Sequence, residues 1–126
     1  MEATIFIVDD SRTVRASIEY TLKKVGYQVE SASDGSEGLE TLKKLQVRGQ
    51  LPAMIITDIN MPNMDGLEFL KRVKGEKDFK YIPVLVLTTE SESHMKEKGK
   101  KEGAAGWLVK PFKPEQLVGV VKKFVR

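Results

Sequence analysis

Four short apolar runs in this chain each end in residues that carry chemistry. The runs are Ile5–Val8, Met54–Ile56, Val84–Leu87 and Trp107–Val109, and the residues that follow them are Asp9-Asp10, Thr57-Asp58, Thr88-Thr89 and Lys110-Pro111. Unalternated runs of β-branched and aliphatic residues, separated by helix-length segments, are typical of central strands in a parallel sheet that is buried on both faces. The runs therefore predict an α/β fold.

The ends of these runs should meet in space. Parallel strands end at the same edge of a sheet, and open α/β sheets bind their ligands at that carboxyl edge. Folding should therefore gather the carboxylates of Asp9, Asp10 and Asp58, the hydroxyl of Thr88 and the ammonium of Lys110 in one crevice. This combination of groups predicts a site for a cation and a phosphoryl group.

Strand and helix alternate five times along the chain. Four helices are predicted to bury an apolar stripe, formed by Val14, Ile18, Leu22 and Val25 in the first, by Leu39, Leu42 and Leu45 in the second, by Leu67, Leu70 and Val73 in the third, and by Leu117, Val120, Val121 and Phe124 in the fifth. The fourth helix, at about Ser93–Glu102, has almost no such stripe, and its Gly99 costs about 1 kcal/mol relative to alanine. We therefore expect this helix to be held weakly and to move easily.

Length and composition predict a single domain over residues 1–126 with no membrane insertion. The chain has no cysteine, which excludes disulfides and thiolate metal sites. It also has no apolar stretch of about 20 residues and no basic-then-apolar signal region at its start. A cytoplasmic protein is the simplest interpretation.

The net charge of +3 is unevenly distributed. Residues 91–126 carry nine basic and four acidic residues, a net charge of +5. An acidic partner and a merely solvated lysine-rich face explain this equally well. Nucleic acid is disfavoured, because the lysines are not interleaved with aromatic residues and no helix-turn-helix pattern is present.

Several motifs together resemble a response-regulator receiver domain over the whole length of the chain. They are Val8-Asp9-Asp10, Asp58 followed in the sequence by Met61-Pro62 and Asp65-Gly66, Thr88, and Lys110-Pro111-Phe112. The segments 87–90 and 103–107 are most similar to single-domain chemotaxis regulators of the CheY kind. The resemblance implies a flavodoxin-like, three-layer sandwich with five helices and a five-stranded parallel sheet in the order 2-1-3-4-5, an order that CheY itself has.

The resemblance also implies a chemical role for each carboxylate. Asp58 would be the phosphoacceptor, attacking a phosphohistidine on a sensor histidine kinase. Asp10, Asp58 and the backbone carbonyl of Asn60 would bind Mg²⁺ directly, and Asp9 would hold it largely through water. Carboxylates this close repel each other without the cation, so at least one pKa should rise. The alternative for Asp9-Asp10 is an N-cap pair of the first helix.

Three further residues would respond to the phosphoryl group. Lys110, before a cis bond to Pro111, would pair with Asp58 or its phosphoryl group, and Thr88 would donate its hydroxyl to a phosphoryl oxygen. Trp107 matches the aromatic residue whose rotamer follows Thr88, although tyrosine or phenylalanine is commoner there in the family. The alternatives are an ordinary strand residue for Thr88 and a plain core or surface aromatic for Trp107.

Two other classes of function fit the sequence less well. A haloacid-dehalogenase-like phosphatase would place a general-acid aspartate two residues after Asp58, where this chain has Asn60. A degenerate receiver that serves only for docking would not need the complete set of acidic, hydroxyl and lysine residues. No Walker-type or Gly-x-Gly-x-x-Gly loop indicates a nucleotide site.

The resulting prediction is a phosphorylation-controlled switch without an output domain, not a turnover enzyme. Output would be binding of an acidic target, such as the flagellar motor switch protein, to the fourth helix, fifth strand and fifth helix. We expect a mainly monomeric protein. The sequence does not identify the cognate kinase, the target or the phosphoryl lifetime. It is also compatible with dimerisation on phosphorylation, and with a role in chemotaxis or in another phosphorelay.

Overall fold

A computed structural model describes residues 3–89 and 94–125 of the chain. Within these residues strands and helices alternate, as β1 (Thr4–Val8), α1 (Arg12–Lys24), β2 (Gln28–Ala32), α2 (Gly35–Val47), β3 (Met54–Asp58), α3 (Gly66–Gly75), β4 (Val84–Thr89), α4 (Lys96–Lys101), β5 (Gly106–Lys110) and α5 (Pro114–Phe124). All strands are parallel, in the order β2-β1-β3-β4-β5. The predicted fold class, strand order and five helices are confirmed.

Both faces of the sheet are buried, as the unalternated strands predicted. In β1, Ile5 and Ile7 pack with α1 and α5, whereas Phe6 and Val8 pack with α2 and α3. Successive side chains of a strand point to opposite faces, so a strand covered on both sides needs an apolar residue at every position. The helices that cover the sheet leave its carboxyl edge accessible, and this edge carries the predicted site.

The predicted core was wrong at two positions and incomplete at several others. Val25 is 41% exposed because α1 ends at Lys24 and the chain turns away at Gly26, whose φ is +101°. Phe124, the last residue of α5, is 39% exposed. Phe69 on α3 was not predicted and is fully buried, where it packs against α2 at Gly38.

α4 is shorter than predicted, spanning Lys96–Lys101, and residues 90–93 lie outside the described part of the chain. Among the six residues of α4 only Gly99 is buried, which agrees with the missing apolar stripe. Its easy movement stays a prediction. None of the described helices combines the length and the apolar character needed to cross a bilayer.

Candidate functional site

Three carboxylates meet at the carboxyl edge of the sheet. Asp58 is the last residue of β3, and Asp9 and Asp10 directly follow β1, the neighbouring parallel strand. One oxygen from each of Asp9, Asp10 and Asp58 lies within 4.8 Å of the others. Asp9 is fully buried, Asp58 is 7% exposed, and Asp10 faces solvent. The sheet topology therefore brings the predicted acidic residues together at a cluster that opens on one side.

Lys110 completes this cluster from two strands away. It ends β5, and its long side chain reaches past β4, so that Nζ lies 3.2 Å from Oδ2 of Asp9 and 3.2 Å from Oδ1 of Asp58. The Lys110–Pro111 peptide bond is cis. The sequence predicted pairing with Asp58; the structure adds Asp9 as a second partner. The ammonium thus bridges two of the three carboxylates, and Asp10 stays open to solvent.

Burial and charge shift the pKa values of this cluster. Burial raises the pKa of the Asp58 carboxyl above its ordinary value, the Asp9 carboxylate adds to the rise, and Lys110 opposes it. Burial alone would lower the pKa of Lys110, but the carboxylates of Asp58 and Asp9 outweigh it and raise that pKa. The expected rise of one carboxyl pKa is confirmed for Asp58. Burial of Asp58, together with the neighbouring Asp9 carboxylate, therefore outweighs the stabilisation that Lys110 gives to the charged form of Asp58.

The donor set fits a hard divalent cation. Carboxylate oxygens and retained waters are the ligands that Mg²⁺ prefers, and an exposed carboxylate such as Asp10 leaves room for waters. Asn60 lies in the exposed loop after β3, two residues beyond Asp58. No cysteine or histidine belongs to the cluster, so nothing in its chemistry favours a soft metal.

Thr88 and Trp107 lie on the α3 side of the sheet. Thr88 is fully buried near the end of β4, and its Oγ1 donates a hydrogen bond to the carbonyl of Thr89 at 3.0 Å. Trp107 on β5 is half-buried, stands beside Val86 in the parallel register, and packs against the core cluster of that face. The Thr88 hydroxyl is therefore engaged with the backbone and not with Asp58.

The backbone around the acidic residues is held by contacts that sequence reasoning missed. Nη1 of Arg15 donates to the carbonyl of Asp9 at 2.6 Å, and the amide of Ile59 donates to Oδ1 of Asp58 at 2.9 Å. A Cβ at Gly66 would overlap the carbonyl oxygen of Asp58, so the start of α3 presses directly on the backbone of this residue. In the sequence, only the Asp65-Gly66 pair at the start of α3 indicates this close approach.

The loop after β3 is tied to the start of α2. Nδ2 of Asn63 donates to Oδ2 of Asp34 at 2.8 Å, while Oδ1 of Asp34 caps α2 by accepting from the amide of Glu37. Asn63 has a φ of +67°, a left-handed conformation that asparagine tolerates better than most residues. Asp34 is the N-cap of α2, and its bond to Asn63 has no signature in the sequence.

The N-cap interpretation of Asp9-Asp10 is wrong. Ser11 is the N-cap of α1, and its hydroxyl accepts from the amide of Val14 at 3.2 Å. Oδ1 of Asp9 accepts from the amide of Ser11, while its other oxygen faces Lys110. Neither aspartate is the N-cap of α1, and both belong to the acidic cluster.

Comparisons with known proteins agree with this architecture. The family model of the response regulator receiver domain matches residues 5–122. The chain is 37% identical to the chemotaxis protein CheY1 of Helicobacter pylori, covering 90% of this chain and 89% of that protein. It is 36% identical to the protein PilG of Pseudomonas aeruginosa, covering 96% and 86%.

Solved structures give the same result. The chemotaxis response regulator CheY4 of Vibrio cholerae superposes with a TM-score of 0.89 at 42% identity, covering 99% of this chain and 100% of that one. A response regulator from Chloroflexus aurantiacus gives a TM-score of 0.88 at 36% identity, covering 98% of both chains. With its parallel sheet and its acidic cluster, this chain belongs to the family of response regulator receiver domains.

Proposed function

We propose that this protein is a cytoplasmic, phosphorylation-controlled switch of a two-component system of the chemotaxis type. Receiver domains are signalling switches rather than turnover enzymes, and those of the CheY type accept phosphoryl groups from histidine kinases. The observation that supports the proposal best is the Lys110 ammonium, 3.2 Å from both Asp9 and Asp58 beside the open Asp10 carboxylate.

Asp58 is the proposed phosphoacceptor. Its carboxylate oxygen attacks the phosphorus of the kinase phosphohistidine, the P–N bond breaks, and the imidazole nitrogen keeps the electron pair and takes up a proton. The hydrogen bond from the Ile59 amide and the ion pair with Lys110 hold this carboxylate at the end of β3. Lys110 then pairs with the negative charge of the product, because an ammonium is a point charge that suits a phosphoryl oxygen.

The acidic cluster is the proposed Mg²⁺ site. Asp10, Asp58 and the carbonyl of Asn60 would bind the ion directly, and Asp9 would hold it through water. When bound, the ion neutralises the repulsion between the carboxylates and the incoming phosphoryl oxygens. Asp10 is the exposed member of the cluster, so an ion bound to it could exchange with the solvent.

Magnesium binding should therefore stabilise the fold. At a concentration of 100 times the Kd we expect a gain of about 2.7 kcal/mol in the free energy of unfolding. Asp10→Ala should remove most of this gain at little direct cost, since Asp10 is exposed. Thermal melts with Mg²⁺ and with a chelator measure both effects, and Glu40→Ala, which removes an exposed carboxylate on α2, is the control. Identical wild-type melting temperatures in the two buffers would show that no metal site is assembled.

In the chelator, Asp58→Asn should raise the melting temperature at neutral pH. The folded-state pKa of Asp58 is raised above its ordinary value of 3.8, so the stability that this carboxyl contributes is present below that value and is lost as the pH rises through the folded pKa. Asparagine does not ionise, so the advantage of the variant should shrink as the pH falls towards 4. A difference that is constant with pH would contradict this account.

The proposed output surface is formed by α4, β5 and α5. Exposed lysines cover both helices, namely Lys96, Lys98, Lys100, Lys101, Lys122 and Lys123. Complementary charge mainly accelerates association and selects partners, so this surface suits an acidic segment such as one of a flagellar motor switch protein. We propose a mainly monomeric protein, with dimerisation on phosphorylation as the alternative.

Partner binding tests this surface. Affinity capture with the phosphorylated and unphosphorylated protein should retain the target in the phosphorylated form. Substitution of Lys100 and Lys101 by glutamate reverses their charge and should weaken target binding by about tenfold at low salt. The loss of affinity should become smaller between 0.1 M and 1 M salt, because the Debye length falls from about 10 Å to about 3 Å. Reversal of the exposed Lys43 and Lys44 on α2 is the matched control. Equal losses for the two pairs would place the target elsewhere.

A further inference from the structure

The buried face of α4 consists of one glycine. Among the residues of the helix, Lys96–Lys101, Gly99 alone is buried, and the other five are charged and exposed. A helix normally stays on a sheet because an apolar stripe packs there. α4 has no such stripe, so some other group must determine where it lies.

That group is the indole of Trp107. A Cβ built on Gly99 would overlap the Cη2 and Cζ2 atoms of the indole, and the next neighbour, Cδ2 of Leu67, would stand at 3.5 Å. The outer ring of Trp107 therefore fills the volume that a side chain at position 99 would occupy. Phenylalanine and tyrosine lack this outer ring and could not reach the same place in the same way.

Other contacts of α4 are few or lie at its ends. Met95 and Ala104, on either side of the helix, pack against the core cluster that also contacts Trp107. Between α3 and α4 lies a cleft lined mainly by charged side chains, among them Lys71, Lys98 and Lys101. The ends of the segment are thus anchored, while the middle of α4 rests on the indole.

We propose that Gly99 and Trp107 form a latch that sets the position of α4, with the indole of β5 inserted where the helix has no side chain. The position holds while residue 99 is glycine and the indole stays in place. The role of the latch in signalling rests on the proposed function, because α4 belongs to the proposed output surface. The contact between Gly99 and Trp107 is independent of that function.

The latch lies next to the residue that would detect phosphate. Trp107 stands beside Val86, and Thr88 is two residues further along β4, so Thr88 and Trp107 lie on the same face of the sheet. In the present arrangement the Thr88 hydroxyl is bound to the Thr89 carbonyl and the indole contacts Gly99. In the proposed switch, phosphorylation moves the indole off Gly99.

Thermal stability tests the contact. Alanine has the higher helix propensity, so Gly99→Ala would stabilise a free helical position. In the wild-type background the overlap with the indole should win and lower the melting temperature by about 3–6 °C. In the Trp107→Phe background, where the outer ring is absent, the same substitution should raise it. Gly119→Ala on α5, where a Cβ meets no atom within 4 Å, is the matched control and should raise it in both backgrounds.

Two further measurements test the link to the switch. Trp107 is the only tryptophan, so Gly99→Ala should shift the emission spectrum without any phosphoryl group. If the displaced indole belongs to the phosphorylated arrangement, Gly99→Ala should also bind beryllium fluoride, a phosphoryl mimic, about fivefold more tightly in Mg²⁺. Titrations monitored by thermal shift provide this affinity.

The outcomes separate the latch from the proposed function. A rise in melting temperature for Gly99→Ala beside Trp107, or the same change in both backgrounds, would overturn the latch. Equal affinities of the wild type and Gly99→Ala for beryllium fluoride would overturn its role in the switch. A wild type that binds no beryllium fluoride would instead refute the proposed function, and the melting series would still decide the contact.

Discussion

Incubation with acetyl phosphate and Mg²⁺ is expected to add one phosphoryl group to the wild-type protein and none to Asp58→Asn. The amide is isosteric with the carboxylate but is no nucleophile towards phosphorus, so labelling should fall by at least about 100-fold. Intact-mass spectrometry measures the stoichiometry. The added group should be released by hydroxylamine and by mild base, as an acyl phosphate is.

Two control variants test whether the labelling is specific for Asp58. Asp65→Asn changes an exposed carboxylate of the same edge, the N-cap of α3, and should label like the wild type. Lys110→Ala should still label, more slowly, because the ion pair with Asp58 places this lysine to stabilise the product rather than to attack. A group resistant to hydroxylamine, or one that persists in Asp58→Asn, would show that a hydroxyl or another carboxylate is the acceptor.

The convergence of Asp9, Asp58 and Lys110 could be predicted because sheet topology determines it. Each residue stands at the end of an apolar run, and parallel strands in the order β2-β1-β3-β4-β5 bring these ends to one edge. The pairing of Lys110 with two carboxylates could not be predicted. It depends on the reach of one flexible side chain past β4 and on the burial of Asp9, which no spacing encodes.

Contacts between distant segments account for the rest of what sequence reasoning missed. The bond from Asn63 to Asp34 joins two loops that are 29 residues apart, and nothing in either segment specifies the other. The same holds for the contact between Gly99 and Trp107, since the sequence around Gly99 predicts only a weak helix. Periodicity reports which face of an element is apolar, but it does not report which side chain of another element fills a gap there.

Helix ends explain the errors in the predicted core. Val25 and Phe124 continue the apolar stripes of α1 and α5 by spacing, yet each stands where its helix stops. A residue at such a point no longer follows the helical period, so its side chain need not face the sheet. Val125, just after α5, is buried instead of Phe124.

Phosphorylation of Asp58 is expected to be transmitted through the Thr88 hydroxyl. This hydroxyl now bonds the neutral carbonyl of Thr89, at a net worth of about 0.5–1.5 kcal/mol, and a bond to a charged phosphoryl oxygen is worth about 1.5–3 kcal/mol. The exchange therefore favours the new position by roughly 1–2 kcal/mol. This free energy changes the ratio of the two conformations by about 5- to 30-fold. Complete reversal of that ratio, from 1:99 to 99:1, needs about 5.5 kcal/mol. We expect Lys110, which pairs with Asp58, to contribute to the remainder.

Thr88→Ala should consequently reduce, by about 5- to 30-fold, the gain in partner affinity on phosphorylation, and should remove most of the Trp107 fluorescence change that beryllium fluoride and Mg²⁺ produce. Thr88→Ser is the matched control, because it loses the same buried methyl group and keeps the hydroxyl. Serine should therefore behave like the wild type in both assays, although both variants lose some stability at this fully buried position.

Retention of the wild-type fluorescence change and affinity gain by Thr88→Ala would separate the hydroxyl from the indole. The signal would then have to pass from Asp58 through Lys110 at the end of β5, or through the loop held by Asn63 and Asp34. Lys110 and Trp107 belong to the same strand, so a phosphoryl group that pulls on Lys110 could move the indole and α4 without Thr88. Loss of the fluorescence change in Lys110→Ala, with Thr88→Ala unaffected, would identify that route.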